Sequence, residues 1–252
     1  MNTVKIDQKE IRYPSNFNEI DQKDFQKISN IIFSNLPYLQ KKAKILKYYF
    51  GKKALRKVYP NHIQQLNKTL NWIESTKLTK DIIHFKIKQK EFIGAGNILQ
   101  HLTLIEFHHT ELFLHLYKQT KDVNYAYKIA AVLFRTKEKK QAEDLRTKFI
   151  TTEIDRRAAL FKKALSPTLL NSILFYYSSC TQKIFEDYKD VFESEEQKQQ
   201  FKNHKAKNDN APPNWSSLIF QLAQSDIVKA EKIAEMTLLT VLNFIRIEKA
   251  KK

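Results

Sequence analysis

The chain has 252 residues, enough for a full hydrophobic core, and its single cysteine, Cys180, cannot pair within the chain, which fits a reducing compartment or a virion assembled in one. With 44 Lys and Arg against 27 Asp and Glu the net charge is +17, so attraction to polyanions is open, while three glycines and six prolines argue for helices and against a barrel, a sandwich or a glycine-rich phosphate loop. The N-terminus lacks the apolar core of a signal peptide and no apolar run approaches the ~20 residues of a membrane span, so a soluble, cytosolic protein is expected.

Residues 4–6 and 11–13 alternate apolar and polar side chains around a polar turn, which predicts a small hairpin closed by Pro14. A helix follows, with Ile20, Phe25, Ile28, Ile32 and Phe33 at helical spacing and Asp21 as its cap; Pro37 ends it. The next, over 39–53, is expected to bury Leu39, Ala43, Leu46 and Phe50 and to stop at Gly51. A third, over 62–78, places Ile63, Leu66, Leu70 and Ile73 inward. Alternation returns at 83–87 and 91–93 before Gly94 and Gly96, which predicts a second hairpin.

The two hairpins expose an internal repeat. Lys5, Ile6, Gln8, Lys9 and Glu10 match Lys86, Ile87, Gln89, Lys90 and Glu91, with Ile11 opposite Phe92 and Asn16 opposite Asn97. After one inserted residue, Ile20, Asp24 and Phe25 match Leu102, Glu106 and Phe107, and further on Lys44, Ile45 and Phe50 match Lys128, Ile129 and Phe134. Matches that keep their order through hairpin, loop and two helices predict a duplication, its hairpins joined edge to edge in one four-stranded sheet. The fold class is therefore mainly α with a small antiparallel β-sheet built from two related hairpins.

From 137 to 165 the sequence is densely charged and reads as a helix whose basic side chains Lys137, Lys139, Lys140, Arg146, Arg156, Arg157, Lys162 and Lys163 could meet a polyanion. Pro167 breaks it, and 168–192 carry Leu170, Ile173, Leu174, Tyr177, Ile184, Tyr188 and Val191 as core. Residues 193–213 turn strongly polar and read as a linker. Three short capped helices end the chain: Asn214, Asp226 and Thr237 are the caps, and Ile219, Leu222, Ile227, Ala230, Ile233, Leu238, Val241 and Leu242 are among the inward positions. This gives five segments: 1–81 and 82–135 as the repeats, 136–192 as charged and apolar helices, 193–213 as linker and 214–252 as the C-terminal unit.

Chemistry is sparse. His101, His108, His109 and His115 share a segment with Glu106 and Glu111, and Glu106 with His109 has the i, i+3 spacing of carboxylate-bridged metal bundles, but no second Glu-x-x-His exists to supply the other half. No metal or cofactor is expected. Without a nucleophile motif, a Walker loop, a dinucleotide fingerprint or zinc spacing, no enzymatic activity is expected either. Tyr48, Tyr49, Tyr125, Tyr127, Tyr176 and Tyr177, beside lysines, could stack on bases, although paired aromatics at helical spacing are more often core and rim.

Three passages, residues 13–28, 102–135 and 214–245, resemble tail-region proteins of tailed phages and prophages of Bacteroidetes-type bacteria, the last through its tryptophan, short helix, acidic cap and Met-x-Leu helix opening. The resemblance covers about a third of the chain. It implies a tail assembly chaperone or a structural virion component, present in the host bacterial cytoplasm during assembly, with other tail or virion proteins, the tape-measure protein among them, as partners and no membrane. Trp215, Phe220 and Phe244 are the expected anchors, because aromatic side chains dominate contact energy in grooves. The competing expectation is a basic, helical, nucleic-acid-binding protein.

Overall fold

Segments in which apolar residues alternate with charged ones fold back on themselves as antiparallel pairs, and this happens twice. The computed structural model describes residues 1–6, 9–58, 60–75, 77–139, 141–192 and 215–251. Strand β1 (Asn2–Ile6) pairs antiparallel with β2 (Lys9–Tyr13), and β3 (Phe85–Ile87) with β4 (Lys90–Ile93). Their registers coincide. Val4 opposes Ile11, Lys5 opposes Glu10 and Ile6 opposes Lys9, as Phe85 opposes Phe92, Lys86 opposes Glu91 and Ile87 opposes Lys90.

The elements that follow also recur in order. A 3-10 turn (Phe17–Glu19) leads to α1 (Gln22–Ile32) and α2 (Tyr38–Leu55); a second 3-10 turn (Asn97–Leu99) leads to α5 (Leu104–Thr120) and α6 (Val123–Leu133). Asp21 caps α1 by accepting from Asp24 N, and Thr103 caps α5 by accepting from Glu106 N, so the matched acids both stand at the third helical position. Ile20 and Leu102, Phe25 and Phe107, Ile45 and Ile129, and Phe50 and Phe134 are all buried. Hairpin register, cap position and burial at these positions are alike in the two units, although α2 runs for 18 residues and α6 for 11.

They do not share a sheet. Strands β1 and β2 stand alone, whereas β4 takes a third strand, β5 (Arg135–Thr136), on its free edge. The expected four-stranded sheet is thus corrected, because the chain leaving α6 of the same unit covers the edge to which the first hairpin would have added.

Between the units lie α3 (Pro60–Lys68) and α4 (Trp72–Ser75), one expected helix interrupted by tight turns at Leu70 and Asn71. Both units grip the connector that follows: Asn18 Oδ1 accepts from Thr79 N and Lys80 N, each at 3.0 Å, and Asn97 Oδ1 accepts from Asp81 N at 2.9 Å. In α2 the inward face is shifted from the expected one. Leu39 is 69% exposed and Ala43 is exposed, while Ile45, Leu46, Phe50 and Lys42 point inward. Lys42 can do so because its ammonium reaches Asn71 Oδ1 at 2.6 Å and lies 4.2 Å from the Tyr38 ring centroid. Gly51, at φ +75°, bends α2, and the helix resumes for a turn beyond it.

The charged stretch after β5 is helical only in α7 (Ile154–Ala164). Residues 137–149 fold back on β5 instead, with Thr147 N donating to Thr136 O at 2.9 Å and Glu138 N to Leu145 O at 2.7 Å. Helix α8 (Pro167–Asp187), capped by Ser166, touches both units. Its Phe175 ring meets Phe17 of the first at 4.9 Å, and its Tyr177 hydroxyl donates to Glu111 Oε1 of the second at 2.6 Å. After α9 (Lys189–Phe192) come α10 (Trp215–Leu222), α11 (Ile227–Glu235) and α12 (Leu238–Ala250), the last two capped by Asp226 and Thr237 as expected. The linker 193–213 and the cap at Asn214 lie outside the described residues.

These last helices are stitched into the body. Leu104 N donates to Met236 O at 2.9 Å and Leu238 N to Leu102 O at 2.8 Å, joining the start of α12 to the start of α5. Tyr188 Oη donates to Asn243 Oδ1 at 2.9 Å, and Arg246 pairs with Asp190 at 2.6 Å. Ile219, Ala223, Ala230, Leu238, Val241 and Leu242 belong to the same hydrophobic core as the two units.

Candidate functional site

The three expected anchors part company. Trp215 turns inward, its ring 4.7 Å from Phe107 of α5 and 6.3 Å from Phe192 of α9. Phe220 and Phe244 turn outward, 52% and 51% exposed. Ile227, expected inward, is also exposed, as are Val228, Met236 and Ile247. The Asp226 cap places Ile227 and Val228 in the first turn of α11, before Ala230 reaches the core, and Ser225 N donates to the Phe220 carbonyl where the chain leaves α10. Phe244 and Ile247 share one face of α12 at i, i+3. Of the eleven exposed large hydrophobic residues among the described residues, six lie in 215–251, so apolar exposure concentrates there.

Of the basic side chains expected to meet a polyanion between 137 and 163, Arg146 does not reach solvent. Arg146 is 1% exposed and sits at the centre of a buried ionic cluster. Its guanidinium donates to Asp144 at 2.9 and 3.0 Å, to His101 O at 2.6 Å, to Leu133 O at 3.2 Å and to Glu106 Oε2 at 3.3 Å. Arg135, 2% exposed, pairs with the other oxygen of Glu106 and donates to Thr147 O. Burial opposes charge on both arginines. For Arg146, Glu106 and Asp144 outweigh burial and raise its pKa, whereas Arg135 is lowered to about 10. Burial pushes the Asp144 carboxyl up, but the bond and charge of Arg146 prevail and hold it below its ordinary value. Two positive and two negative groups hold 135–147 against the start of α5, although among the described residues Glu106 Oε1 accepts and Arg135 Nε donates no hydrogen bond.

The rest of that set is scattered. Lys137 lies 3.6 Å from Glu91, Arg156 pairs with Glu153, Arg157 donates to Ala131 O at 2.6 Å and Lys162 to Asn124 Oδ1 at 2.9 Å. Lys139 and Lys163 are exposed, and Lys140 lies outside the described residues.

A longer run of positive charge without any acid lies elsewhere. From residue 25 to residue 73 the sequence contains no Asp or Glu and ten Lys or Arg, a signal that whole-chain counting hides. On α2 and just after it, Lys44, Lys47, Lys52, Lys53 and Arg56 are exposed, and among the described residues none of them forms an ion pair. The acid nearest in sequence is engaged: Asp24 Oδ1 accepts from the Tyr48 hydroxyl at 2.6 Å, a bond that pushes the tyrosine up to about 12.

The histidine segment is committed to packing. Glu106 belongs to the ionic cluster, the His109 ring lies 6.1 Å from that of Phe113 and 5.9 Å from that of Phe149, and Glu111 accepts from Tyr177. Burial lowers the pKa of His108 and His109, the charge of His108 adding to the effect at His109. Among the described residues no group of three His, Cys, Asp or Glu side chains could hold a metal ion, and no helix is long and apolar enough to cross a membrane. Tyr176, Tyr177 and Cys180 are core, and burial pushes the Cys180 thiol up to about 12. A cleft of about 200 Å³ between α1, the connector and the start of α8 is lined by Ser29, His84, Ser166 and Ser172, and the Ser29 and Ser172 hydroxyls are already bonded to backbone carbonyls. Comparison with family models, with curated proteins and with solved structures finds no match to this chain.

Proposed function

We propose that this chain is a non-enzymatic tail-region protein of a tailed phage or prophage, acting in virion or tail assembly through protein–protein contacts, as a chaperone or as a structural component. The observation that carries the reading is the apolar exposure of the C-terminal helices, where Phe220, Ile227 and Val228 are left in water and Phe244 with Ile247 share one face of the last helix. Apolar side chains left in water and concentrated at one end of the chain are what a helical partner would cover. A tape-measure protein, long and helical and carrying apolar stripes until a tube closes around it, is a partner of that chemistry, met in the host bacterial cytoplasm during assembly. The resemblance of 13–28, 102–135 and 214–245 to such tail-region proteins points the same way.

The test is co-purification with tail-tube and tape-measure proteins encoded in the same genome. The paired variant Phe220→Ser with Phe244→Ser is expected to keep its melting temperature and to lose the complex. Retention of the complex at wild-type affinity, or no complex with wild-type protein, would contradict the reading. A second reading, contact with nucleic acid, is favoured by a different observation on a different part of the molecule.

A further inference from the structure

We propose that the outer face of α2, continued past its bend by Lys52, Lys53 and Arg56, is a docking surface for the phosphate backbone of nucleic acid. The stretch 25–73 holds ten of the positive charges and none of the negative ones. Its helix is oriented by its own core face, since Ile45, Leu46 and Phe50 are 0%, 2% and 6% exposed. Lys41, Lys44 and Lys47 therefore rise along the other side at i, i+3 and i+6, about 4.5 Å apart along an axis of about 20 Å before Gly51. The bend at Gly51 then turns a second basic group, Lys52, Lys53 and Arg56, away from the line of the first. A bent basic ridge follows a strand of phosphates without requiring a groove-reading helix, and lysines act as point charges indifferent to base sequence.

Two features favour nucleic acid over other polyanions. A membrane-surface helix inserts a row of apolar side chains, yet from α1 to α3 Leu39 is the only exposed large hydrophobic residue among those described. An acidic protein interface is built around a desolvated aromatic or arginine centre, whereas this surface is lysine-rich, and the tyrosines beneath it are turned to the core or to Asp24. The surface belongs to the first unit, while the C-terminal helices dock on α5 and α9, so it stands whether or not the assembly reading does.

The experiment is fluorescence anisotropy of a labelled 20-base-pair duplex of arbitrary sequence with the full chain, titrated at several salt concentrations. Five phosphate contacts give a slope of about −4.5 in log K against log salt. The triple variant Lys44→Glu, Lys47→Glu and Lys52→Glu is expected to weaken binding about 100-fold and to flatten the slope by about three units. A charge-matched control, Lys118→Glu, Lys139→Glu and Lys163→Glu, is expected to change affinity only a few-fold. All three proteins should unfold at the same temperature, the altered side chains being exposed. Equal weakening by both triples would show diffuse attraction and overturn the proposal. So would an undetectable wild-type complex at 50 mM salt, or displacement of the duplex by polyglutamate or anionic vesicles at matched charge.

Discussion

Asp24 and Glu106 occupy corresponding positions in the two hairpin-and-helix units, three residues past the cap of the first helix, and their fates differ. Asp24 is half-buried and accepts one hydrogen bond from Tyr48, whereas Glu106 is fully buried, closes a capping box with Thr103 and faces Arg135 and Arg146. The cause lies beyond the repeat. After α6 the second unit continues into β5 and the fold-back of 137–149, which supplies two arginines and a second carboxylate; after α2 the first unit continues into a bent, basic, solvent-facing turn. One unit has turned its charges inward to hold the body together, and the other has kept them outside. That difference separates residues that serve stability from the surface proposed to bind nucleic acid.

The largest effect should come from Glu106. Glu106→Ala leaves two arginines buried without their shared counter-charge and should cost about 3–5 kcal/mol, measured by urea denaturation. Asp24→Ala, at the equivalent position, removes one hydrogen bond and should cost about 1 kcal/mol. Equal losses would break the comparison. Next is Trp215→Ala, which opens a hole against Phe107 and, the ring being only partly buried, should cost about 2–3 kcal/mol, at or below the range for full aromatic deletions.

Acid sharpens the contrast further. The Asp144 carboxyl is held below its ordinary value of 3.8, so the stability it contributes is complete above that pH and is lost as pH falls through the lowered value. Asp144→Asn should therefore be less stable than the parent at neutral pH and should lose less on acidification below 3.8, followed by fluorescence. The smallest effect is expected at Phe220, where substitution by Ala should move stability by no more than about 0.5 kcal/mol because the ring is in water.

Local features were legible in the sequence. The hairpin registers follow from the repeated Lys, Ile, Gln, Lys, Glu pattern, and the caps at Asp21, Asp226 and Thr237 depend only on the next few residues. What escaped was long-range. Arg146 reads as surface charge until Glu106, 40 residues earlier, is placed beside it, and β5 is two residues long and exists only through pairing with β4. Lys42 reads as exposed until Asn71 and the Tyr38 ring are found around its ammonium, and with it the phase of α2 changes, sending Leu39 outward. The acid-free run from 25 to 73 is visible in the sequence, but the denser charge at 137–163, nine basic side chains mixed with five acids, masks it when only density is read.

The division of labour between the units is tested most directly by lysine acetylation footprinting of the full chain, free and bound to a DNA duplex, read by mass spectrometry. The account predicts that Lys44, Lys47, Lys52 and Lys53 lose reactivity in the complex while Lys118, Lys139 and Lys163 keep theirs. Protection spread evenly over both sets, or confined to the second, would contradict it.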